Sequence, residues 1–199
     1  MTYVVNNAET WAEHMRSEIE TLDVEQTLQT MTPEPCVNHV PTMTGGFGAA
    51  GVRQFYREHF IGQWPSDTTI MPISRTTGDD QIVDEMLIAF THDRVLDCIL
   101  PGVAPTGRRI ELPAVAIVRF EKGKVAREHI YWDQGSVLVQ AGLIDPEGLP
   151  LAGAEVAAKL KDPTLPSNTL ITERTQASWS NERSRVVAGM HQPGQSRSV

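Results

Sequence analysis

The chain has 199 residues, with 17 Lys and Arg against 25 Asp and Glu, for a formal net charge of −8. That length suits one domain with a real core, and an acidic balance with scattered basic residues argues against a nucleic-acid surface. No apolar run approaches the roughly 18–20 residues of a membrane helix. The first residues lack the basic start and apolar block of a secretory signal, and Cys36 and Cys98 can form neither a disulfide framework nor a Cys-x-x-Cys zinc site. A soluble, cytoplasmic protein acting on small molecules or other proteins is expected.

Trp11, Met15, Ile19 and Leu22 recur at spacings of four, four and three, which predicts a helix with one apolar face. Asp23 is placed to cap a second helix, with Gln26 at the capping-box position and Leu28 and Met31 on its apolar side. Thr32-Pro33-Glu34-Pro35 ends that helix, because proline lacks an amide donor and restricts the residue before it. A short extended piece, Cys36 to Val40, leads into TMTGGFGAAG. Its glycines precede no Lys-Ser/Thr and follow no βα fingerprint, so a lid or a helix lead-in is expected rather than a nucleotide cradle. Val52, Phe55, Tyr56, His59 and Phe60 predict the next helix.

From residue 68 the pattern is that of strands: Thr69–Thr76, Gln81–Asp93, Val95–Leu100, Arg109–Glu121 and Lys124–Trp132, each rich in Val, Ile and Leu. Glu121-Lys122-Gly123-Lys124 reads as a hairpin turn, and Pro113 as a bulge or edge position. A short helix over Ser136–Ala141 is closed by Gly142, and AGAEVAAKLKD offers one more. Residues 167–199 hold six Ser and no clear period, which suggests a disordered tail or an arm laid over a partner subunit. Helices first and a meander afterwards give an α+β domain over 1–145, followed by an extension over 146–166. Long bent strands curling around a helix leave a concave, mostly apolar cavity of the kind that binds small molecules.

Several segments in order carry a resemblance: Thr91-His92, Pro105-Thr106-Gly107-Arg108-Arg109-Ile110-Glu111-Leu112-Pro113, Arg119 to Val125, Tyr131-Trp132-Asp133-Gln134, and Gln140-Ala141-Gly142-Leu143. Together they resemble the SnoaL-like polyketide cyclases of the nuclear-transport-factor-2-like superfamily, over roughly residues 10–145. The resemblance implies a cone-shaped barrel, a curved antiparallel sheet wrapped by N-terminal helices, paired as a homodimer and working without metal or organic cofactor. The superfamily holds cyclases, dehydratases, epoxide hydrolases, ketosteroid isomerases and proteins that only bind, so fold alone does not fix activity. The chain departs from the family pattern at Thr91-His92-Asp93-Arg94, at Gln140-Ala141-Gly142, and at His129, where the family commonly has a Trp.

By the resemblance, Asp133 matches the acid–base carboxylate of the cyclases. With period two, Arg127, His129, Tyr131 and Asp133 share one strand face, and Glu128, Ile130 and Trp132 the other. His129 is then placed to share the Asp133 proton. The alternative is that Asp133 only caps the following helix. His39, with Asn38 beside it, occupies the segment where the cyclases place a pocket His or Asn, and is a second catalytic candidate. Tyr131, Glu85 and His92 are candidate substrate-binding groups, Glu85 being preferred over Asp84, which is expected at the surface. His14 and His59 read as helix-face residues, and no His-x-x-x-His or His-x-His spacing suggests a metal. The expected activity is cofactor-independent acid–base chemistry on a hydrophobic carbonyl compound: cyclisation, isomerisation or dehydration. The alternatives are a non-catalytic binding or assembly domain, or hydrolysis of a lactone or epoxide.

Overall fold

Two side-chain caps set the N-terminal helices. Asn6 accepts from the amide of Ala8 and starts α1 (Asn7–Ile19). Asp23 accepts from the amides of Glu25 and Gln26 and from the Gln26 side chain, starting α2 (Val24–Gln29). Both satisfy amides that the first helical turn leaves without partners. The computed structural model describes residues 6–171, so most of the expected tail, from 172 onward, lies outside the described residues.

The chain then runs β1 (Met31–His39), β2 (Thr44–Phe47), α3 (Gly48–Phe55), a π-helical turn over Tyr56–Phe60, β3 (Thr69–Thr77), β4 (Gln81–Thr91), β5 (Arg109–Glu121), β6 (Lys124–Trp132), α4 (Gln134–Gln140) and α5 (Glu155–Lys161). The six strands form one sheet in the order β2-β1-β6-β5-β4-β3. β3 to β6 are the expected antiparallel meander. β1 adds to β6 in parallel, and β2 folds back on β1 as an edge. The fold is α+β, a curved sheet with the N-terminal helices against its inner face, as expected. The inner face carries the buried side chains Ile82, Phe90, Ile110, Leu112, Val118 and Val125, packed against Trp11, Val52, Phe55 and Tyr56.

Two local readings change. The run expected as a strand, Val95–Leu100, is a set of turns in which Leu96, Cys98, Ile99 and Leu100 are buried. A short apolar run has no period to separate a buried turn from a strand. Its backbone is satisfied instead by Thr42, whose hydroxyl donates to Cys98 O at 2.9 Å, and by Gln134, whose amide donates to Ile99 O at 3.1 Å. The extended piece begins earlier than expected, at Met31, because Pro33 and Pro35 fall in an irregular stretch of the β1–β6 ladder between Met31 and Cys36. Of the two positions expected for it, Pro113 takes the edge and not the bulge. It lies one residue beyond the last β6 partner of β5, where β5 has a neighbour on one side only.

The glycine-rich segment supplies β2 and the start of α3. A Cβ on Gly46 would lie 2.5 Å from the carbonyl carbon and oxygen of Gly51, so strand and helix meet at backbone contact. A Cβ on Gly51 would meet only ordinary contacts, at 3.8 and 3.9 Å. Gly46→Ala is therefore expected to cost about 1–3 kcal/mol through overpacking, and Gly51→Ala to be neutral or to gain up to about 1 kcal/mol of helix propensity. Urea unfolding of the two variants checks this, and equal destabilisation would contradict the close approach.

Candidate active site

Between α1, the π-helical turn and the inner sheet face lies a cavity of about 530 Å³. Met86, Ile88, Ala116 and Ile130 form its floor, and Trp11, Met15, Phe60, Trp64 and Trp132 stand around it. Four titratable groups reach its wall, Glu18, His39, Tyr56 and Glu128, with Ser66 and Thr68 at its lining as well.

α1 places Trp11, His14, Met15 and Glu18 at i, i+3, i+4 and i+7, on the stripe that faces the core. His14 and Glu18 are thus carried inside on an otherwise apolar face, and β6 brings Glu128 to meet them. His14 Nε2 lies 3.0 Å from Glu18 Oε1 and 3.0 Å from Glu128 Oε1. The Tyr56 hydroxyl is 3.4 Å from the same nitrogen and donates to Glu128 Oε1 at 3.4 Å.

The other ring nitrogen settles the tautomer. His14 Nδ1 is 2.6 Å from Thr30 Oγ1, and the Thr30 hydroxyl donates to Thr27 O at 2.6 Å. Its one proton is used there, so Thr30 can only accept from His14, and Nδ1 carries hydrogen. Nε2 and the two carboxylates then hold one further proton among them. Burial opposes charge on His14, but the carboxylates of Glu128 and then Glu18 outweigh it and raise its pKa to about 10. The proton therefore rests on His14 at neutral pH. Burial also raises the pKa of Glu128, against the pull of His14, and pushes the Tyr56 phenol up. The three atoms lie within 4.8 Å of one another, close enough to surround a cation; here a proton does that work.

The imidazole is held from a third side. Trp11 stacks on it at 5.1 Å between centroids and 19° between planes. The Trp11 indole donates to Asp84 Oδ2 at 2.7 Å, and Asp84 is gripped by Arg75 at 2.5 and 2.7 Å.

His39 lies in the same cavity in the opposite electrostatic state. It is packed among Phe55, Phe60 and Trp132 at centroid distances of 5.3–5.8 Å. Burial lowers its pKa to about 4, which neither the charge of Glu18 nor the Thr44 backbone offsets.

Of the residues singled out from sequence, His39 alone lines the cavity. β6 presents Glu128, Ile130 and Trp132 inward, the opposite phase to the one expected. His129 is accordingly half-buried and Tyr131 exposed, both away from the cavity. Asp133 is exposed and accepts from the amide of Ser136 at 3.1 Å, as the N-cap of α4. Glu85 accepts from Ser74 and lies off the cavity, while Asp84, expected at the surface, is the inward residue. Asn38 is a half-buried ladder residue opposite Gly45 and His129. His92 is buried beside Thr106, whose amide donates to its Nδ1 at 3.3 Å, and is also outside the cavity. His14, Glu18, Tyr56 and Glu128 were not anticipated. The available signal was a His and a Glu four residues apart on the apolar stripe of the first helix.

The family described as SnoaL-like domain matches residues 11–128, and the chain belongs to it. No curated protein sequence matches the chain. Similar solved structures include an NTF2-like protein of unknown function from Burkholderia pseudomallei, at 20% identity and TM-score 0.52, covering 68% of this chain and 96% of that one. A SnoaL-like polyketide cyclase from Jannaschia is similar at 18% identity and TM-score 0.55, covering 70% and 93%. The polyketide cyclase IdmH from Streptomyces antibioticus is similar at 19% and 0.53, covering 69% and 99%. At these identities the likeness is one of fold.

Two histidines with opposite shifts predict the pH dependence of stability. Folded His14 keeps its proton to about pH 10, whereas an ordinary histidine releases it near 6.5. Its contribution is complete below 6.5 and is lost as pH rises towards 10, at up to about 1.4 kcal/mol per pH unit. Folded His39 stays neutral down to about pH 4, so its contribution is lost as pH falls from 6.5. Urea midpoints are expected to peak near neutrality. His14→Gln is expected to flatten the limb between pH 7 and 9.5, and His39→Phe the limb between 6.5 and 5. An alkaline limb unchanged in His14→Gln would contradict the shared proton.

Proposed function

We propose that this cavity is an active site for cofactor-independent acid–base chemistry on a hydrophobic carbonyl compound, with Glu128 as the general base. The observation that carries the reading is a cavity-facing carboxylate, buried and made more basic by that burial, next to an imidazole that already holds the local proton. Ionised Glu128 would take a proton from the carbon beside the carbonyl and become a carboxylic acid. The bonding pair moves onto the carbonyl oxygen as an enolate. The Tyr56 hydroxyl, whose proton is directed at Glu128 in the resting site, is free to turn to that oxygen once Glu128 is protonated. Return of the proton to another carbon is isomerisation, attack of the enolate on an internal electrophile is cyclisation, and expulsion of a β-hydroxyl as water is dehydration. His14 and Glu18 act by positioning Glu128 and setting its basicity. His39, neutral and set among rings, is a wall group for the apolar body of the substrate.

The test is solvent-deuterium exchange at the α-carbon of 2-tetralone, followed by proton NMR. The chain is expected to accelerate exchange and Glu128→Gln to lower the rate by about 10²–10⁴, the usual contribution of a positioned base. Asp133→Asn, at an exposed helix cap, is expected to stay within twofold. Retention of the full rate in Glu128→Gln, or its loss in Asp133→Asn, would return the role to Asp133. Membership of the family also carries the expectation of a homodimer, which sedimentation checks as twice the chain's 22.0 kDa.

A further inference from the structure

The charge lining the cavity is one-sided. Glu18 and Glu128 reach its wall, and among the described residues no Lys or Arg does. His14 supplies one positive charge to two carboxylates, so the cluster with its one shared proton carries −1 wherever that proton sits. Every hydrogen bond and ion pair to these carboxylates uses Oε1. Their Oε2 atoms have no hydrogen-bond partner among the described residues. Neither is sealed away, since the fully buried unpaired side-chain atoms are His39 Nδ1 and His92 Nε2. Both carboxylates line the cavity, each with one oxygen that has no protein partner among the described residues. Around them stand aromatic faces, those of Trp11, Tyr56, Phe60, Trp64 and Trp132.

We propose that the cavity selects a ligand whose apolar, ring-sized body carries one basic nitrogen, with the ammonium seated on Glu18 and Glu128 among the indole and phenyl faces. This rests on the cavity being the substrate site and adds the substrate's charge. A residual negative charge in a water-poor cavity is stabilised by an incoming cation and repels an incoming carboxylate more strongly than it would in water. Aromatic faces add attraction for the same cation and none for an anion. An ammonium donates to the two free oxygens; a neutral alcohol can donate to one; a carboxylate donates to neither. On this reading both carboxylates hold the ammonium, and Glu18 stays ionised as its anchor when Glu128 takes the substrate's proton.

The experiment is calorimetric titration of the whole chain at pH 7 with three ligands of one body and different heads: 2-naphthylmethylamine, 2-naphthylmethanol and 2-naphthoate. The amine is expected to bind at least tenfold more tightly than the alcohol, and the carboxylate more weakly than the alcohol. In Glu18→Gln the advantage of the amine over the alcohol is expected to shrink to threefold or less. If Glu18→Gln does not fold, the same comparison in Glu128→Gln and the ranking in the unaltered chain still decide. Naphthoate binding as tightly as the amine, or an amine advantage that persists in both variants, overturns the proposal while leaving the cavity a ligand site. Failure of all three ligands to bind overturns both the proposal and the reading of the cavity on which it rests.

Discussion

Thr30 has one hydroxyl proton and gives it to the carbonyl of Thr27 at the end of α2. That commitment forces His14 to donate through Nδ1, which turns Nε2 towards Glu18 and Glu128. A buried hydroxyl with a spare proton would have let Nδ1 accept, and the neutral ring would then offer Nε2–H to the carboxylates. With Nδ1 committed as a donor, Nε2 can donate to them only when the ring takes a second proton and becomes a cation. The strongest electrostatic feature of the cavity thus follows from a local backbone bond in the turn between a six-residue helix and the first strand. Burying two carboxylates and an imidazole is costly unless they are paired and hydrogen-bonded. Here the pairing runs through one oxygen of each carboxylate and leaves the other without a protein partner among the described residues, an arrangement better suited to chemistry than to stability.

The same cluster ties three parts of the chain together. His14 is on α1, Glu128 on β6, and Tyr56 at the junction of α3 with its π-helical turn. π turns tend to occur at functional sites because the extra residue shifts the side chains around it. A second brace runs from His14 through the stacked Trp11 to Asp84 on β4 and Arg75 on β3. Displacing α1 would break contacts on β4 and β6 at once, so the helix that carries the site also closes the open side of the sheet.

Much of the fold could be read from the sequence because it is local. The apolar stripe of α1, the Asp23 cap and the hairpin at Lys122-Gly123 each depend on residues within a few positions. The parallel pairing of β1 with β6 joins segments about ninety residues apart, and no periodicity encodes it. That pairing, with the β5 ladder, decides which face of β6 turns inward. Both faces of β6 carry polar residues, Glu128 on one and Arg127 and His129 on the other, so alternation alone is symmetric. The resemblance broke the tie by treating Asp133 as a cavity residue, but β6 has ended at Trp132 and Asp133 already has the backbone of a helix cap. The part of the site that was legible, a His and a Glu among the apolar positions of α1, is visible only when a polar residue on a core stripe is read as informative.

The absence of Lys and Arg from the cavity lining fits the proposed chemistry when charge is counted before and after proton transfer. Before transfer the cluster carries −1, divided between two carboxylates and a protonated imidazole. When Glu128 accepts a proton from carbon, the cluster becomes neutral and the negative charge appears on the substrate's oxygen beside Tyr56. The charge moves a short distance and is not created, so a second fixed cation in addition to His14 would gain little in the transition state and would further stabilise the ionised base beforehand, lowering its basicity. The phenol of Tyr56 interacts weakly with a neutral carbonyl and strongly with an enolate oxygen, and so acts where the charge develops. With no Lys or Arg at the wall among the described residues, His14 is the cation that opposes the effect of burial on Glu128, and the resting cavity keeps an unmatched negative charge that any positive group on the substrate can meet.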